Sequence, residues 1–381
     1  MSIRIIIAGD TVPTKSNEHL FMDGEALTLV GERCFNLLQS ADYRIINLEV
    51  PLTERGEPID KFGPNLVASP KAVKGLTKMS IDLVGLANNH VMDQGKIGLE
   101  DTIDILKRHG IAYTGAGENL KSAQRACYFE LKGIVFGVYA CAEHEFTIAT
   151  DSYPGSNPFD PLYSLDHIAA MKEHCDYIIV MFHGGKEHYR FPSPELKRTC
   201  RRMVEKGADL VLVQHSHCIG SMEEYQGSTI VYGQGNFIFD GQDNEYWKTG
   251  LIVEINVKPD RKSSIVFHPI VKDEAGIKMA EGELRDSILA DFSARSKDVL
   301  NDHKLEEYYH KFATELVSEY EFGFAGRFSG NIVFRVLNRL FKHKLASIFY
   351  IKKDKLRIID YIGCEAHREL VLEGLKTDDQ G

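Results

Sequence analysis

The segment Ile3-Arg-Ile-Ile-Ile-Ala-Gly-Asp10 decides the fold class, because a β-branched run ends there at a glycine and a carboxylate. Near-continuous apolar runs of this length are typical of strands that are buried on both faces. Further runs of this kind follow at 44–48, 81–87, 176–182 and 209–213. We therefore expect several short strands of a largely parallel sheet.

Helix-length segments separate these runs, at 24–40, 95–110, 162–175 and 192–207. The last of them opens at Ser193-Pro194 and closes at Gly207, which are the usual signals at the two ends of a helix. Alternation of strands and helices predicts an α/β layered fold.

The pattern changes in the second half of the chain. Residues 229–239, 250–257 and 264–271 are consecutive strand-like segments, so antiparallel pairing is expected there. Beyond residue 282 helical spacing dominates. We therefore predict one α/β domain over residues 1–282 and a helical C-terminal module over residues 283–381.

Composition excludes several classes of protein. The chain has 381 residues with 43% hydrophobic residues and a net charge of −10, which suits a large core and argues against nucleic acid as the main partner. Its 7 cysteines form no C-x-x-C pair, which favours reduced thiols in a cytosolic protein. No run approaches the roughly 18 apolar residues of a spanning helix or resembles a signal peptide, so we expect a cytoplasmic protein.

Potential metal ligands follow each buried strand. Ligands of open α/β sheets bind beyond the carboxyl ends of the strands, so these side chains are expected to converge. Carboxylate and imidazole suit Mn, Fe or Zn, whereas the absence of thiolate disfavours a structural zinc site. Any one of them alone is weak evidence, because a turn, a helix cap or a solvated side chain also explains it, but their joint placement predicts a metal site. The residues are Asp10, Glu49, Asn88, Asn89, His90, His183, His215 and His217.

Four sequence blocks stand out, namely Asn47–Thr53, Ala87–Gly95, Gly115–Gly117 and Tyr232–Asp240. Together they resemble the capsule-biosynthesis CapA / poly-γ-glutamate synthesis family, and the resemblance covers roughly residues 3–270. The family's fold is similar to that of the calcineurin-like metallophosphoesterases, which implies a layered α/β/β/α sandwich. The helical part resembles tails of members from surface-polysaccharide loci.

The resemblance also implies roles for the candidate residues around two divalent ions. Glu49 would lie between the ions, and His90 would face the leaving group as a general acid and not as a ligand. Two ions about 3.5–4 Å apart polarise a phosphoryl oxygen and make hydroxide available. The first ion would be held by Asp10 and His217, and the second by Asn89, His183 and His215.

Further residues would support the ligands or contact substrate: Asn88, Asp93, Glu187 and Asn236. Asp93 suits a cap of the 95–110 helix equally well. The phosphoesterase pattern Asp-x-His is broken, because Val12 stands where its histidine is expected. Glu187 is an alternative ligand in its place.

A second departure is Gly184, where the family usually has an aromatic residue after the fourth-strand histidine. We expect it to open space over the site and to alter substrate preference. The segment Ala142-Glu-His-Glu-Phe146 is interpreted as a solvated loop, with a place in the substrate pocket as the alternative.

Residues 335–357 contain eight Lys or Arg and one acidic residue, Asp354. Basic and apolar residues alternate there, which is typical of a helix at an anionic membrane surface. We favour a helix packed on the acidic surface of the α/β domain, with a membrane-surface helix as the alternative. The chain would be cytoplasmic and, in the membrane-surface case, peripheral at the inner membrane face.

Together these features predict a metal-dependent hydrolase in surface-polymer biosynthesis. Its substrate would be a small phosphorylated compound or a surface-polymer precursor, and an amide of a polymer could be cleaved by the same chemistry. The alternative is a non-catalytic binding component of a polymer synthesis or export complex.

Overall fold

The computed structural model describes residues 2–341, 345, 348 and 350–377. Its strands are numbered in chain order. They are β1 (Ile3–Val12), β2 (Tyr43–Leu48), β3 (Leu83–Gly85), β4 (Ala112–Thr114), β5 (Ala116–Gly117), β6 (Cys127–Leu131), β7 (Ile134–Ala142), β8 (Gly155–Ser156), β9 (Tyr177–His183), β10 (Leu210–Gln214), β11 (Met222–Tyr225), β12 (Ser228–Val231), β13 (Asn236–Phe239), β14 (Thr249–Val257), β15 (Ser263–Asp273) and β16 (Gly276–Met279).

The helices are numbered in the same way. They are α1 (Glu18–Asp23), α2 (Ala26–Gln39), α3 (Val73–Lys78), α4 (Gly95–Arg108), α5 (Leu120–Ala123), α6 (Ser164–Met171), α7 (Pro194–Lys206), α8 (Gly282–Asp298), α9 (Asp302–Gly323), α10 (Arg327–Gly330), α11 (Ile332–Leu340), α12 (Lys352–Gly363) and α13 (Glu365–Thr377). No helix of the described residues is both long and apolar enough to cross a membrane.

The first sheet has the order β16-β15-β14-β1-β2-β3-β4, with β13 also pairing with β1. Strands β1 to β4 are parallel, and the hairpins β14–β15 and β15–β16 add antiparallel strands on the other side of β1, as the sequence predicts. The second sheet has the order β11-β12-β10-β9-β7-β6, and its four central strands are parallel.

The strand β1 shows why the molecule forms four layers. Side chains alternate across a strand, so Ile5 and Ile7 enter the core between the two sheets while Ile6 and Ala8 enter the core beneath the helices. A third core lies on the outer face of the second sheet. Complete burial of each large apolar side chain contributes about 1.5–3 kcal/mol. The predicted α/β/β/α layering is confirmed.

The chain divides into two compact units, residues 1–305 and 306–381. The last strand is β16 and the elements that follow are helices, of which α8 is the first. The sequence predicts the domain boundary between residues 282 and 283, at the start of this helix. The first unit extends beyond this point to residue 305. The ring of Phe292 in α8 lies 4.9 Å from that of Phe267, and Leu305 is buried in the third core.

Candidate metal centre

Strand pairing brings the ligand residues to one edge of each sheet. Asp10 lies opposite Asn47 in the pairing of β1 with β2, and His183 lies opposite Gln214 in the pairing of β9 with β10. Glu49 follows β2 directly and is fully buried. The carboxylates therefore come from the first sheet and the imidazoles from the second.

A close approach of two glycines shapes this edge. Strand β13 joins β1 where Asp10 pairs with Asn236, and a Cβ at Gly9 would lie 2.1 Å from the carbonyl oxygen of Gly235. Only glycine fits there without a shift of the backbone. The approach places Oδ1 of Asn236 at 2.9 Å from Nδ1 of His217.

Two histidines after β10 have left-handed backbone conformations, with φ of 90° at His215 and 52° at His217. Such a conformation costs on the order of 1–3 kcal/mol for a residue other than glycine and is commonly retained at functional sites. Here it places two imidazoles at the site from a three-residue segment.

The potential ligands form two groups that share one carboxylate. Glu49, His183 and His215 make one group, and Asp10, Glu49 and His217 make the other, with the ligand atoms of each group within 4.8 Å of one another. Glu49 is therefore the one residue that both groups share.

The residues present fit a bound divalent ion. Both carboxylate oxygens of Glu49 and Nδ1 of His215 are buried and have no hydrogen-bond partner among the described residues. Oε1 of Glu49 has an ion-pair contact of 3.4 Å with Nε2 of His183 but no hydrogen bond. Buried polar atoms are normally satisfied, and a cation would satisfy these.

Electrostatics within the centre shift the pKa values of His215 and His217 in opposite directions. Burial lowers the pKa of His215 well below its usual value, and the charges of His183 and His217 lower it further, which leaves a neutral ring. Burial also lowers the pKa of His217, but the carboxylates of Asp10 and Glu49 outweigh it and raise that pKa to about 9. For the carboxyl group of Asp10, burial by itself raises the pKa, but His217 and His183 outweigh burial and hold the pKa below its usual value.

Asparagine side chains hold the ligands in place. Nδ2 of Asn47 donates to Oδ1 of Asp10 at 2.7 Å and lies 3.3 Å from Nδ1 of His183. Asn88 donates in turn to Oδ1 of Asn47 at 3.2 Å, and Oδ1 of Asn89 lies 3.1 Å from Nε2 of His183. Contacts of this kind fix the orientation of metal ligands.

His90 belongs to neither ligand group and is held instead by Asp93. Nδ1 of His90 lies 2.5 Å from Oδ2 of Asp93, which also accepts from the backbone N–H of Leu66 at 2.6 Å. The alternative that Asp93 caps the following helix is wrong, because α4 begins after Gln94 without a side-chain cap. The reason is that His90 and its neighbours use the carboxylate.

Lys61 is a site residue that the sequence interpretation missed. Its buried ammonium group pairs with Asp93 and lies 3.2 Å from Nδ1 of His90 and 3.3 Å from the carbonyl oxygen of Asn89. It comes from an irregular loop without hydrophobic periodicity. Its only sequence signal is the Gly- and Pro-containing stretch around it.

The neighbourhood of His217 contains another missed pair, His188 and Trp247. Nε1 of Trp247 donates to Nε2 of His188 at 2.9 Å, and the Trp247 ring lies 4.6 Å from the ring of His217. Glu187 is half-buried next to this pair and belongs to neither ligand group. Val12 is buried.

The expectation that Gly184 opens space over the site is wrong. A Cβ at Gly184 would lie 2.7 Å from Cδ of Glu143, so the side chain of Glu143 takes up that room. The loop that carries Glu143 is exposed, as expected, but it also reaches the centre. Nδ2 of Asn89 donates to Oε2 of Glu145 at 3.4 Å, and Oε1 of Glu145 lies 3.9 Å from Nε2 of His215.

Two facing sheets with carboxylates and imidazoles at their carboxyl edges are the layered arrangement that the resemblance to the calcineurin-like metallophosphoesterase fold implied. The chain belongs to the family of bacterial capsule synthesis proteins described as PGA_cap, whose family model matches residues 4–241.

Two curated relatives show the extent of this similarity. The capsule biosynthesis protein CapA of Bacillus anthracis is 33% identical over 212 residues, which cover 53% of this chain and 52% of the relative. The PGA biosynthesis protein CapA of Bacillus subtilis (strain 168) is 28% identical over 244 residues, which cover 63% and 64%. The chain therefore spans between half and two thirds of the length of these relatives.

Similar solved structures have low sequence identity. A hypothetical protein from Thermus thermophilus is 15% identical with a TM-score of 0.48, covering 71% of this chain and 100% of its own. A phosphatase from Mycoplasma pneumoniae is 15% identical with a TM-score of 0.46, covering 72% and 95%. These likenesses concern the path of the chain and not its substrate.

Proposed function

We propose that the chain is a metal-dependent hydrolase that acts in the synthesis of a capsule polysaccharide or of poly-γ-glutamate. The observation that carries the proposal is Glu49, a fully buried carboxylate without hydrogen bonds that is shared by two groups of metal-type ligands. The donor set of carboxylate, imidazole and amide oxygen supports Mn, Fe or Zn.

The residues of the centre divide the chemical tasks among them. Asp10, Glu49, Asn89, His183, His215 and His217 would hold divalent ions, which would supply charge stabilisation for a phosphoryl oxygen and acidify a water molecule. His90 holds a proton for the departing oxygen, because imidazole is the side chain used most often for general acid catalysis. Asp93 and Lys61 orient that imidazole.

The proposed substrate is a phosphorylated precursor of the surface polymer. The names of the two relatives, a capsule biosynthesis protein and a PGA biosynthesis protein, support this context. Hydrolysis of an amide within the polymer is the other reaction that the same centre supports. Seven free thiols support a cytoplasmic location.

The test is metal-dependent hydrolysis by the full chain. Purified protein is stripped with a chelator, reloaded with Mn, Fe or Zn, and assayed on aromatic phosphoesters and on poly-γ-glutamate. Activity should return with metal in the wild type and not in Glu49→Gln. The matched control is Glu223→Gln, which changes a buried carboxylate that is bonded to Arg201 and Tyr232 away from the centre. Hydrolysis that is unchanged in the chelated protein contradicts the proposal.

A non-catalytic binding component is the second candidate, and the observation that favours it is Val12. This buried valine stands where the phosphoesterase pattern has a histidine ligand, so a first ion would have fewer protein ligands. Bound metal without turnover on any of these substrates supports this candidate over the hydrolase.

A further inference from the structure

Helix α11 exposes almost all of its apolar side chains. Ile332 and Leu340 are 76% and 73% exposed, and the positions between them repeat at helical spacing. Arg335 and Arg339 are exposed on the same helix. The exposed apolar residues of this helix and the residue after it are Ile332, Val333, Val336, Leu337, Leu340 and Phe341.

The helix is fixed within its own unit by a different set of contacts. Oδ1 of Asn331 accepts hydrogen bonds from the backbone N–H groups of Val333 at 2.9 Å and Phe334 at 3.2 Å. The ring of Phe334 stacks on that of Phe322 at 5.8 Å. The exposed apolar residues are therefore not needed for these contacts.

Helix α12 repeats the combination of exposed apolar and basic residues. Leu356, Ile359 and Ile362 of this helix, and Ile351 just before it, are all more than half exposed. Lys355 pairs with Glu321 at 2.5 Å. The other basic residues of this helix are Lys352, Lys353 and Arg357.

Charge in this part of the sequence is mostly positive, although α12 also contains Asp354 and Asp360. From Phe322 to Lys353 the chain contains seven Lys or Arg and no Asp or Glu, although its net charge is −10. Two of the seven, Lys342 and Lys344, lie outside the described residues. A surface that is both apolar and cationic matches a layer of anionic lipid head groups over hydrocarbon.

We propose that α11 and α12 dock the chain on an anionic membrane surface. The apolar residues would enter the interface between head groups and acyl chains, and the basic residues would face lipid phosphates. A second copy is disfavoured as the occupant, because a symmetric contact would place equal positive charges against each other. The inference is independent of the metal chemistry.

The test is co-sedimentation of the full chain with vesicles. Vesicles of phosphatidylcholine with about one third phosphatidylglycerol should bind the chain at 0.1 M salt, and pure phosphatidylcholine should bind it far less. Binding should fall at 1 M salt, because the Debye length shrinks from about 10 Å to about 3 Å. Absence of binding to the anionic vesicles at low salt overturns the proposal.

Two double variants separate the charge contribution from the apolar one. Arg335→Glu with Arg339→Glu should lower the partition coefficient at least about 30-fold, the worth of two basic residues at an anionic surface. Val336→Asp with Leu340→Asp should abolish binding. The matched control is Lys78→Glu with Lys121→Glu, which makes the same charge change at exposed sites of the first unit. Equal losses in the control show non-specific attraction and overturn the proposal.

Fluorescence gives a readout that does not depend on the stability of those variants. The chain has one Trp, and Trp247 is only 7% exposed. An added tryptophan at the exposed Phe341 (Phe341→Trp) should be quenched by brominated phosphatidylglycerol, whereas wild-type fluorescence should change little. A chain that dimerises through Leu340 in solution and leaves the added tryptophan unquenched has a protein interface there, which also overturns the proposal.

Discussion

His90→Asn tests the division between ligands and leaving-group acid. His90 is outside both ligand groups, and its Nδ1 is 2.5 Å from Asp93. Asparagine keeps a polar side chain at this position but cannot deliver a proton as imidazole does. We therefore expect the variant to retain its metal and to lose turnover.

The size of the loss follows from the chemistry of proton transfer. General acid catalysis is worth about 10²–10⁴ in rate, or about 3–5 kcal/mol of transition-state stabilisation. The loss should depend on the leaving group, because p-nitrophenolate departs readily without a proton whereas phenolate does not. The assay compares turnover of phenyl phosphate and p-nitrophenyl phosphate by the metal-loaded protein.

The two substrates supply an internal control, and His174→Asn supplies a second one, since His174 is exposed on the surface away from the centre. The variant His90→Asn should slow phenyl phosphate far more than p-nitrophenyl phosphate. Equal slowing of both substrates refutes the acid role. Loss of metal in this variant would show that His90 is a ligand.

Three further predictions concern the centre, its strands and the buried thiols. Lys61→Met should lower kcat for phenyl phosphate on the order of 10-fold, because the ammonium group orients His90. Lys61→Arg should restore part of the lost kcat. A wild-type kcat in Lys61→Met would contradict this role. Gly9→Ala should lower the free energy of unfolding, measured in thermal melts, by about 1–3 kcal/mol, because the added Cβ would meet the carbonyl oxygen of Gly235. The control is Gly363→Ala, where an added Cβ would meet no described atom within 4 Å. Burial raises the pKa of Cys34 to about 12, so iodoacetamide at pH 8 should modify it, by mass spectrometry, only after denaturation; modification in the folded chain contradicts the packing.

The fold was predictable because strands buried on both faces leave a strong sequence signal. Runs such as 3–8 and 209–213 correspond to β1 and β10 within a few residues. Short elements such as α3 and β4 were missed, since they have too few residues to show a period. The extent of the first unit was also not readable, because α8 is recognised as part of it only through tertiary contacts such as that of Phe292 with Phe267.

The centre was predictable to the extent that its residues follow strands. Parallel strands end at a common edge, which is enough to bring Asp10, Glu49 and His183 together without knowledge of any loop. Lys61, Glu145 and Trp247 come from irregular segments whose path is set by packing. The space at Gly184 was misjudged for the same reason, since the position of Glu143 depends on a loop.

The metal content of the purified chain tests the central claim most directly. Elemental analysis of wild-type protein from metal-replete cells should find Mn, Fe or Zn at one to two ions per chain. Glu49→Gln should lose both ions because both ligand groups contain Glu49, whereas His215→Ala and His217→Ala should each affect one. Glu223→Gln should keep the wild-type content. A wild-type chain without metal, or a Glu49→Gln variant with unchanged content, would contradict the account.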